Sequence, residues 1–253
     1  MQIGEFKKQF KFQEEKKGYV GTEREFFLTR RGIIVPLAQE VLEHINDAQC
    51  TYELSACQLE SRTEPCQIEK LHCHLVNCEK VMVGAERKLQ FERSHKSVAP
   101  FDMPLDVFPD PSGRYGTIAR TISVKVLRSA CRIIGTHVHI GMPDHETALR
   151  VYSGVIQKTD ELCKIGDNSR GERMKLYKDV TPEYMPRAYT SWEDFQAEMI
   201  QRGCESDPRS VWTLIRISVH GTIEFRMFDA TSRIEQIVEW AHTCHALCEK
   251  YIE

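Results

Sequence analysis

The sequence predicts an α+β fold, in which strands and helices do not follow a regular strand–helix–strand order. Three observations predict this class. More segments show the strand period of two residues than a fold built of simple strand–helix–strand units would contain. Two of them, at residues 211–219 and 222–229, are joined by His220-Gly221, where glycine permits a tight hairpin turn. Between the strands lie segments in which apolar residues recur with the helical period.

The first half of the chain begins with a polar arm, which is followed by a strand at residues 20–28. A helix is expected at 37–45, and residues 51–63 show strand-like alternation with a local irregularity. An amphipathic pattern predicts a long helix at 67–91. Residues 100–116 contain four prolines and two glycines, so we expect a loop that is either a functional flap or a passive excursion.

The middle of the chain contains one ambiguous segment. Residues 117–130 fit a helix or a strand, whereas residues 131–141 are expected to form a strand. Asp144 follows a proline and can cap a helix that runs to about Ile165.

Two more helices and the hairpin complete the predicted fold. Ser191 with Asp194 can start a helix, because both residue types favour helix N-termini. The hairpin strands at 211–219 and 222–229 follow it along the chain. From Ile234 onward, apolar residues at helical spacing predict a closing helix.

The composition is that of an ordinary soluble globular protein, with 41% hydrophobic and 28% charged residues. A formal net charge of −3 gives no basic excess, so neither nucleic acid nor an anionic membrane is favoured as a partner. No apolar run approaches the ~20 residues of a transmembrane helix. The charged N-terminal segment does not resemble a signal peptide, and a cytoplasmic location is therefore expected.

The ten cysteines are expected to be reduced and mostly to pack in the core, because no secretion signal or C-x-x-C pair is present. His72-Cys73-His74 suggests zinc ligands. These residues lie, however, within the amphipathic pattern at 67–91, where Cys73 and His74 fall off the main apolar stripe. A structural zinc site is therefore not favoured.

Charged or ligand-type side chains recur at every second residue in four short stretches of the sequence. Because the strand period is two, each pair projects from one face of its strand. In a shared sheet such residues would collect on one surface, where carboxylates repel one another unless protons, cations or a positive ligand neutralise them. The pairs are Glu23 and Glu25, Gln58 and Glu60, His137 and His139, and Glu224 and Arg226.

The pairs together favour a metal-binding sheet face. One pair of glutamates at this spacing is more often a solvated strand face, and Glu224 could simply pair with Arg226. The joint occurrence of four lysine-free stretches favours the functional interpretation, and oxygen-rich ligands prefer Mg²⁺ or Mn²⁺ to zinc. Alternation places Phe228 on the same face as Glu224 and Arg226, and Arg24 on the opposite face. The chain has no P-loop or G-x-G-x-x-G motif, so any bound ATP is held in another way.

Four segments, GTEREFFL, ELSACQLESRTEP, GTHVHIGMPD and IRISVHGTIEFRMFDAT, together resemble the glutamate–cysteine ligase type 2 family. This family includes the bacterial carboxylate–amine ligases and is related to glutamine synthetase. The resemblance implies an open, mainly antiparallel sheet with metal-bound ATP on its concave face and helices on its convex face. It also implies a single catalytic domain over residues 1–253, which lacks the C-terminal extension of longer relatives.

The resemblance implies two metal positions, for Mg²⁺ or Mn²⁺. The residues at the first position are Glu25, Glu53 and Glu60. A second metal, which bridges the ATP phosphates, would have the ligands Glu23, His137 and Glu224.

Other residues receive roles from the same resemblance. His139 is expected to lie close to the ATP phosphates, and Arg226 to stabilise charge on the phosphoryl group during transfer. Arg216 is expected to meet phosphate or the carboxylate of the substrate, and Trp212 to shape the pocket. Arg170, in an Asn-Ser-Arg loop, is a candidate for nucleotide or substrate contact, although an ordinary loop arginine is an equally good interpretation.

The implied reaction is phosphorylation of a small-molecule acid by ATP, followed by attack of an amine on the acyl phosphate. Glutamate is the expected acid and cysteine or another compound the amine. Two alternatives stay open: a non-catalytic regulatory protein that binds ATP and metal, and a metal-dependent amide hydrolase. A homo-oligomer is also left open, because a neighbouring subunit could complete the site.

Overall fold

The protein is described by a computed structural model over residues 1–252, which contains one eight-stranded sheet. Its strands are β1 (Val20–Arg30), β2 (Ile33–Ile34), β3 (Cys50–Tyr52), β4 (Gln58–Arg62), β5 (Glu92–Ser94), β6 (Gly135–Gly141), β7 (Ile215–Ser218) and β8 (Thr222–Asp229). They lie in the order β3-β4-β1-β6-β8-β7, and β2 and β5 also pair with β1. The pairings among these strands are antiparallel, which confirms the predicted α+β class.

The helices pack mainly against one face of this sheet. They are α1 (Ile3–Lys7), α2 (Ala38–Ile45), α3 (Leu71–Leu89), α4 (Arg114–Thr121), α5 (Val124–Cys131), α6 (His145–Val155), α7 (Thr159–Gly166), α8 (Glu172–Val180), α9 (Trp192–Gln201) and α10 (Ile234–Ile252). Val138, Ile140 and Phe225 of the sheet join side chains of α6 and α10 in the main apolar cluster. Burial of this apolar area is the principal driving force that holds the helices on the sheet.

Predicted helix starts are confirmed where a side chain caps the first turn. The Asp144 carboxylate accepts a hydrogen bond from the Thr147 N–H at the start of α6. The Ser191 hydroxyl accepts one from the Asp194 N–H at the start of α9.

The ambiguous segment 117–130 is helical and holds most of α4 and α5. Several predicted boundaries are wrong. The segment 51–63 holds two strands, β3 and β4, separated by a turn. The next strand begins at Gly135, because Cys131 still belongs to α5. A short 3₁₀ turn, Ile156–Lys158, divides the helix expected after Asp144 into α6 and α7.

A β-bulge in β8 corrects the predicted direction of Phe228. In the pairing with β6, the two residues Arg226–Met227 lie opposite the single residue His137. The extra residue shifts the alternation of side chains by one position. Phe228 therefore turns to the helix side, where its ring stacks on Trp240 with the ring centres 5.0 Å apart.

Arg24 is buried on the helix side in a network of ion pairs. Its Nη1 lies 3.2 Å from the Glu79 carboxylate of α3, and the same carboxylate lies 2.7 Å from Nη2 of Arg93 on β5. Arg93 also contacts Glu86, with Nε 2.8 Å from the carboxylate. Two cations and two anions thus offset the cost of burying charge beneath the sheet.

The cysteines are free, and six of them are buried: Cys57, Cys66, Cys78, Cys131, Cys244 and Cys248. Cys73, between two histidines on α3, is exposed. Between residues 1 and 252, no helix combines the length and apolarity needed to cross a bilayer.

Candidate functional site

The strand register brings the alternating polar residues of four strands into one row. Antiparallel pairing sets each of these residues against a partner on the neighbouring strand, so their side chains share one face. The opposed pairs are Glu60 with Glu25, Glu23 with His137, His139 with Glu224, and Arg216 with Glu224. The face opposite to α6 and α10 therefore carries a continuous band of carboxylate, imidazole and guanidinium groups.

His137 lies at the centre of this band. Its Nδ1 is 2.9 Å from Oε2 of Glu23, and its Nε2 is 3.6 Å from Oε1 of Glu25. Nε2 of His139 is 3.4 Å from Oε1 of Glu23. The two histidines of β6 thus flank the carboxylate of Glu23.

Two groups of side chains have potential metal-ligand atoms within 4.8 Å of one another, and both include His137. They are Glu23, His137 and Glu224, and Glu25, Glu60 and His137. The first group is the set that the family resemblance implied for the second metal. The second contains His137 in the place expected for Glu53, whose charge acts on Glu25 and Glu60 from the turn between β3 and β4.

The acidic end of the band holds more negative charge than its surroundings compensate. Burial and the neighbouring Glu53 raise the pKa of Glu25 to about 8. Burial, with the charges of Glu23 and Glu53, raises the pKa of Glu60 well above its ordinary value. Burial also raises the pKa of Glu53. Without added cations, this end of the band therefore retains protons at neutral pH.

The β6–β8 end of the band behaves in the opposite way. Burial favours the neutral acid, but Arg216 and Arg226 hold the pKa of Glu224 far below its ordinary value. Burial lowers the pKa of His139, yet Glu23 and Glu224 outweigh this and raise it. His139 is therefore a cation over a wider pH range than a free imidazole. By contrast, burial and Arg226 lower the pKa of His137 to about 4, so this imidazole is neutral and able to bind metal.

Two arginines flank the fully buried Glu224. Nε of Arg216 lies 2.7 Å from its carboxylate, and Arg226 contacts the other carboxylate oxygen. Arg216 is fixed further by hydrogen bonds from Nη1 to the carbonyls of Arg209 and Val211, at 2.8 and 3.0 Å. Arg216 and Arg226 are thus held as neighbours at one end of the acidic band.

Arg173 of α8 is a residue of this site that the sequence patterns did not suggest. Its side chain is 2% exposed, and Nη2 and Nη1 donate to the carbonyls of Arg226 and Met227, at 3.1 and 3.3 Å. These carbonyls belong to the bulge of β8, so the Arg173 guanidinium stabilises the irregular segment that carries Arg226. Arg173 and Tyr177 are the buried residues of α8, and their spacing of four residues is the signal that could have identified them.

Gly135 connects Arg173 with Glu25. Its N–H donates to Oε2 of Glu25 at 2.6 Å. A Cβ atom at this position would overlap the Arg173 guanidinium and lie 2.8 Å from the carbonyl oxygen of Phe228. The residue at position 135 therefore has to be glycine for the strand, the arginine and the glutamate to meet.

Two adjoining clefts open onto the band, and both include Glu23 and His220. The first cleft has a volume of about 230 Å³, and its lining includes Glu25, Glu53, Glu60, Arg173, Trp212, Arg216 and Arg226. The second cleft has a volume of about 360 Å³, and its lining includes Lys11, Lys16, Tyr19, Arg62, His139 and Thr222. Arg170 is exposed and does not line either cleft.

The loop expected at 100–116 contributes one wall of the first cleft. It ends in α4, whose residues Arg114 and Tyr115 line that cleft. Phe108 of the loop stacks on Tyr52 of β3 with ring centres 4.6 Å apart, and Nε of Arg114 lies 3.2 Å from Asp207. The loop is thus anchored at the sheet and at the opposite rim of the cleft.

Comparison with known sequences adds an independent finding. The family described as "Putative amidoligase enzyme" matches residues 118–248. A protein from Solibacter usitatus named "Putative glutamate–cysteine ligase 2" is 29% identical over 159 residues, which cover 57% of this chain and 40% of that protein. A protein of the same name from Rhodopirellula baltica is 24% identical over 253 residues, covering 90% of this chain and 68% of that protein. These matches confirm the family resemblance that the sequence motifs suggested.

Solved structures give the same result for the fold. A bifunctional glutathione synthetase from Pasteurella multocida has a TM-score of 0.60 at 12% identity, covering 94% of this chain and 39% of that chain. Plasmodium falciparum glutamine synthetase has a TM-score of 0.51 at 10% identity, covering 92% of this chain and 52% of that one. The likeness confirms the glutamine synthetase-like sheet. The chain spans well under two thirds of the Solibacter relative and of both structures.

Proposed function

Because the chain belongs to the amidoligase family, we propose that it joins a carboxylic acid to an amine, with ATP as phosphoryl donor and Mg²⁺ or Mn²⁺ as metal. One observation carries this proposal: the row of carboxylates and imidazoles across β4, β1, β6 and β8 ends at two guanidinium groups. Phosphoryl transfer needs metal ligands and positive groups in one cleft. The names of the relatives suggest glutamate as the acid and cysteine as one amine.

The side chains fit two divalent cations. Carboxylate oxygens dominate both groups of potential ligands, as Mg²⁺ and Mn²⁺ prefer. The raised pKa values of Glu25, Glu53 and Glu60 indicate that this face lacks positive charge. We assign these three residues to one cation. The other cation is assigned to Glu23, His137 and Glu224. When bound, the two cations would neutralise carboxylate charge and phosphate charge together.

The remaining residues of the band are assigned to the substrates. Arg226, held by Glu224 and the bulge of β8, stabilises charge on the phosphoryl group during transfer. Arg216 binds a phosphate or the carboxylate of the acid. His139 donates a hydrogen bond to a phosphate oxygen, and Trp212 shapes the first cleft. For Arg170 the structure offers no contact with either cleft, and its role stays a sequence-based prediction.

The reaction has two balanced steps. A carboxylate oxygen of the acid attacks the γ-phosphorus of ATP, and ADP leaves as the acyl phosphate forms. The amine nitrogen then attacks the acyl carbon, phosphate leaves with the oxygen that came from the acid, and the amine loses a proton. The arginines are already held by hydrogen bonds before reaction, so they stabilise developing charge with little reorganisation.

The two clefts suit different substrates. The second cleft contains His139 and adjoins Glu23, so we assign it to the nucleotide. The first cleft contains Arg216 and Arg226, whose guanidinium groups suit an acid substrate. The clefts meet at Glu23, where the phosphoryl group would pass from one substrate to the other.

Release of ADP from ATP and Mg²⁺, measured with a panel of acids and amines, tests this proposal. We expect release that depends on both an acid and an amine, with a new amide in the product mixture by mass spectrometry. ATP binding by calorimetry without turnover on any acid–amine pair would indicate a nucleotide-binding regulator. Amide cleavage that proceeds without ATP would indicate a hydrolase.

A further inference from the structure

The N-terminal arm, residues 8–19, runs along the edge of the second cleft. The Lys11 N–H donates to the carbonyl of Val219 at 3.0 Å. Further along the arm, the Gly18 N–H donates to the Gly141 carbonyl at 2.9 Å, and the Gly141 N–H donates to the Tyr19 carbonyl at 2.8 Å. The arm is therefore hydrogen-bonded to the sheet at both ends of the stretch that borders the cleft.

Two glycines allow the arm to lie directly against the sheet. A Cβ atom at Gly141 would overlap the carbonyl oxygen of Lys16, and one at Gly221 would overlap that of Lys11. Gly221 also has φ +76°, which disfavours other residues. Close backbone contact thus fixes the backbone of Lys11 and Lys16 at the edge of the cleft.

The lysines of the arm and of the preceding helix α1 differ in their partners. Lys7 and Lys8 form ion pairs with Glu146 and Glu5, at 3.3 and 2.7 Å. Lys11 and Lys16 line the second cleft and form no ion pair within residues 1–252. Both lysines are exposed, so their ammonium groups are free to turn toward an anionic ligand in this cleft.

A buried polar atom also lies at this cleft. His139 is 8% exposed, and its Nδ1 is 2.8 Å from the Thr222 hydroxyl. Its Nε2 makes no hydrogen bond within residues 1–252, although Oε1 of Glu23 is 3.4 Å away. A buried polar nitrogen without a hydrogen bond normally marks a place where water or a ligand binds.

We propose that the N-terminal arm forms one wall of the nucleotide site and that Lys11 and Lys16 bind the phosphate groups of ATP. This inference rests on the proposed function, because it assigns the second cleft to the nucleotide. The ammonium groups would add positive charge at the cleft beside His139, opposite in sign to the acidic band. The arm would thereby belong to the active site rather than serve only to cover the sheet.

Binding of ATP–Mg²⁺, measured by calorimetry without an acid or an amine, tests the role of the arm. We expect Lys11→Met and Lys16→Met each to weaken binding about three- to tenfold, and the double variant roughly 30-fold. Added salt should weaken binding less steeply in the double variant than in the wild type. Lys17→Met is the matched control, since Lys17 is an exposed lysine of the same arm outside the cleft lining. Thermal melts of the variants check that all remain folded.

The outcomes separate this inference from the proposed function. Equal ATP affinity in the wild type and the double variant would overturn the role of the arm and leave the ligase proposal intact. A loss of affinity as large in Lys17→Met as in Lys11→Met would also overturn it, because a general surface charge would then explain the effect. No ATP binding by the wild type would overturn both.

Discussion

Gly135→Ala is expected to disturb the fold and the acidic band together. The new Cβ would lie 2.7 Å from Cζ of Arg173 and 2.8 Å from the carbonyl oxygen of Phe228, whereas ordinary contacts begin at 3.4 Å. Overpacking of this kind costs about 1–3 kcal/mol. One of the overlaps involves backbone that cannot rotate away, so we expect a loss near the upper end, about 3 kcal/mol. At an m-value of about 3 kcal/mol/M this lowers the urea midpoint by about 1 M.

The same substitution should weaken metal binding, because the Gly135 N–H holds Oε2 of Glu25 at 2.6 Å. Groups that orient metal ligands typically change affinity by about 10- to 100-fold when they are lost. We therefore expect Mn²⁺ affinity, measured by electron paramagnetic resonance, to fall about tenfold. Gly84→Ala is the control: Gly84 lies on α3 with open space around it, so alanine should be neutral or slightly stabilising.

A double-mutant cycle identifies the cause of the loss. Arg173→Ala removes one of the two overlaps but leaves the carbonyls of Arg226 and Met227 without their donor, at a cost of about 3 kcal/mol. In the double variant with Gly135→Ala, the losses should sum to about 1–2 kcal/mol less than additivity predicts. Strict additivity, or a Gly135→Ala protein within about 0.5 kcal/mol of the wild type, would refute the reasoning.

Three further predictions concern the charged groups. Glu224→Gln should leave the protein folded, lower its stability by about 4 kcal/mol and abolish metal-dependent turnover; unchanged activity would remove Glu224 from the metal ligands. With its pKa raised to about 8, Glu25 keeps a proton at neutral pH, and Glu60 likewise, so Mn²⁺ must displace protons. Mn²⁺ affinity should therefore rise from about pH 6 to about pH 8, and calorimetry in two buffers showing no proton release would contradict this. Glu79→Gln should lower the free energy of unfolding by about 3 kcal/mol and Arg24→Met by about 1 kcal/mol, because Glu79 pairs with two arginines. A larger loss for Arg24→Met than for Glu79→Gln in urea denaturation would contradict the proposed ion-pair network.

Local rules were sufficient for the strands that carry the band. The period of two placed Glu23 and Glu25 on one face of β1, and His137 and His139 on one face of β6, because neither strand contains an extra residue along those stretches. Asp144 likewise predicted the start of α6, because an N-cap residue acts within one helical turn. These features depend on neighbours in sequence.

Features that depend on distant contacts could not be predicted in this way. The bulge of β8 inserts one residue opposite His137, and no local sequence pattern marks it. The direction predicted for the Phe228 side chain was therefore wrong. Arg173 lies more than 30 residues from any of the paired motifs, and its partners are backbone carbonyls, which every sequence contains. Arg24 is charged yet buried because α3 and β5 supply Glu79 and Arg93, which no pattern around β1 indicates.

Transfer of oxygen from the acid to phosphate tests the proposed ligase activity most directly. Glutamate labelled with ¹⁸O in its side-chain carboxylate is incubated with the protein, ATP, Mg²⁺ and cysteine, and the released phosphate is analysed by mass spectrometry. If the acid is activated as an acyl phosphate at the acidic band, each phosphate released with amide formation should carry one ¹⁸O atom. Amide formed with unlabelled phosphate, or labelled phosphate produced equally by Glu224→Gln, would contradict the account.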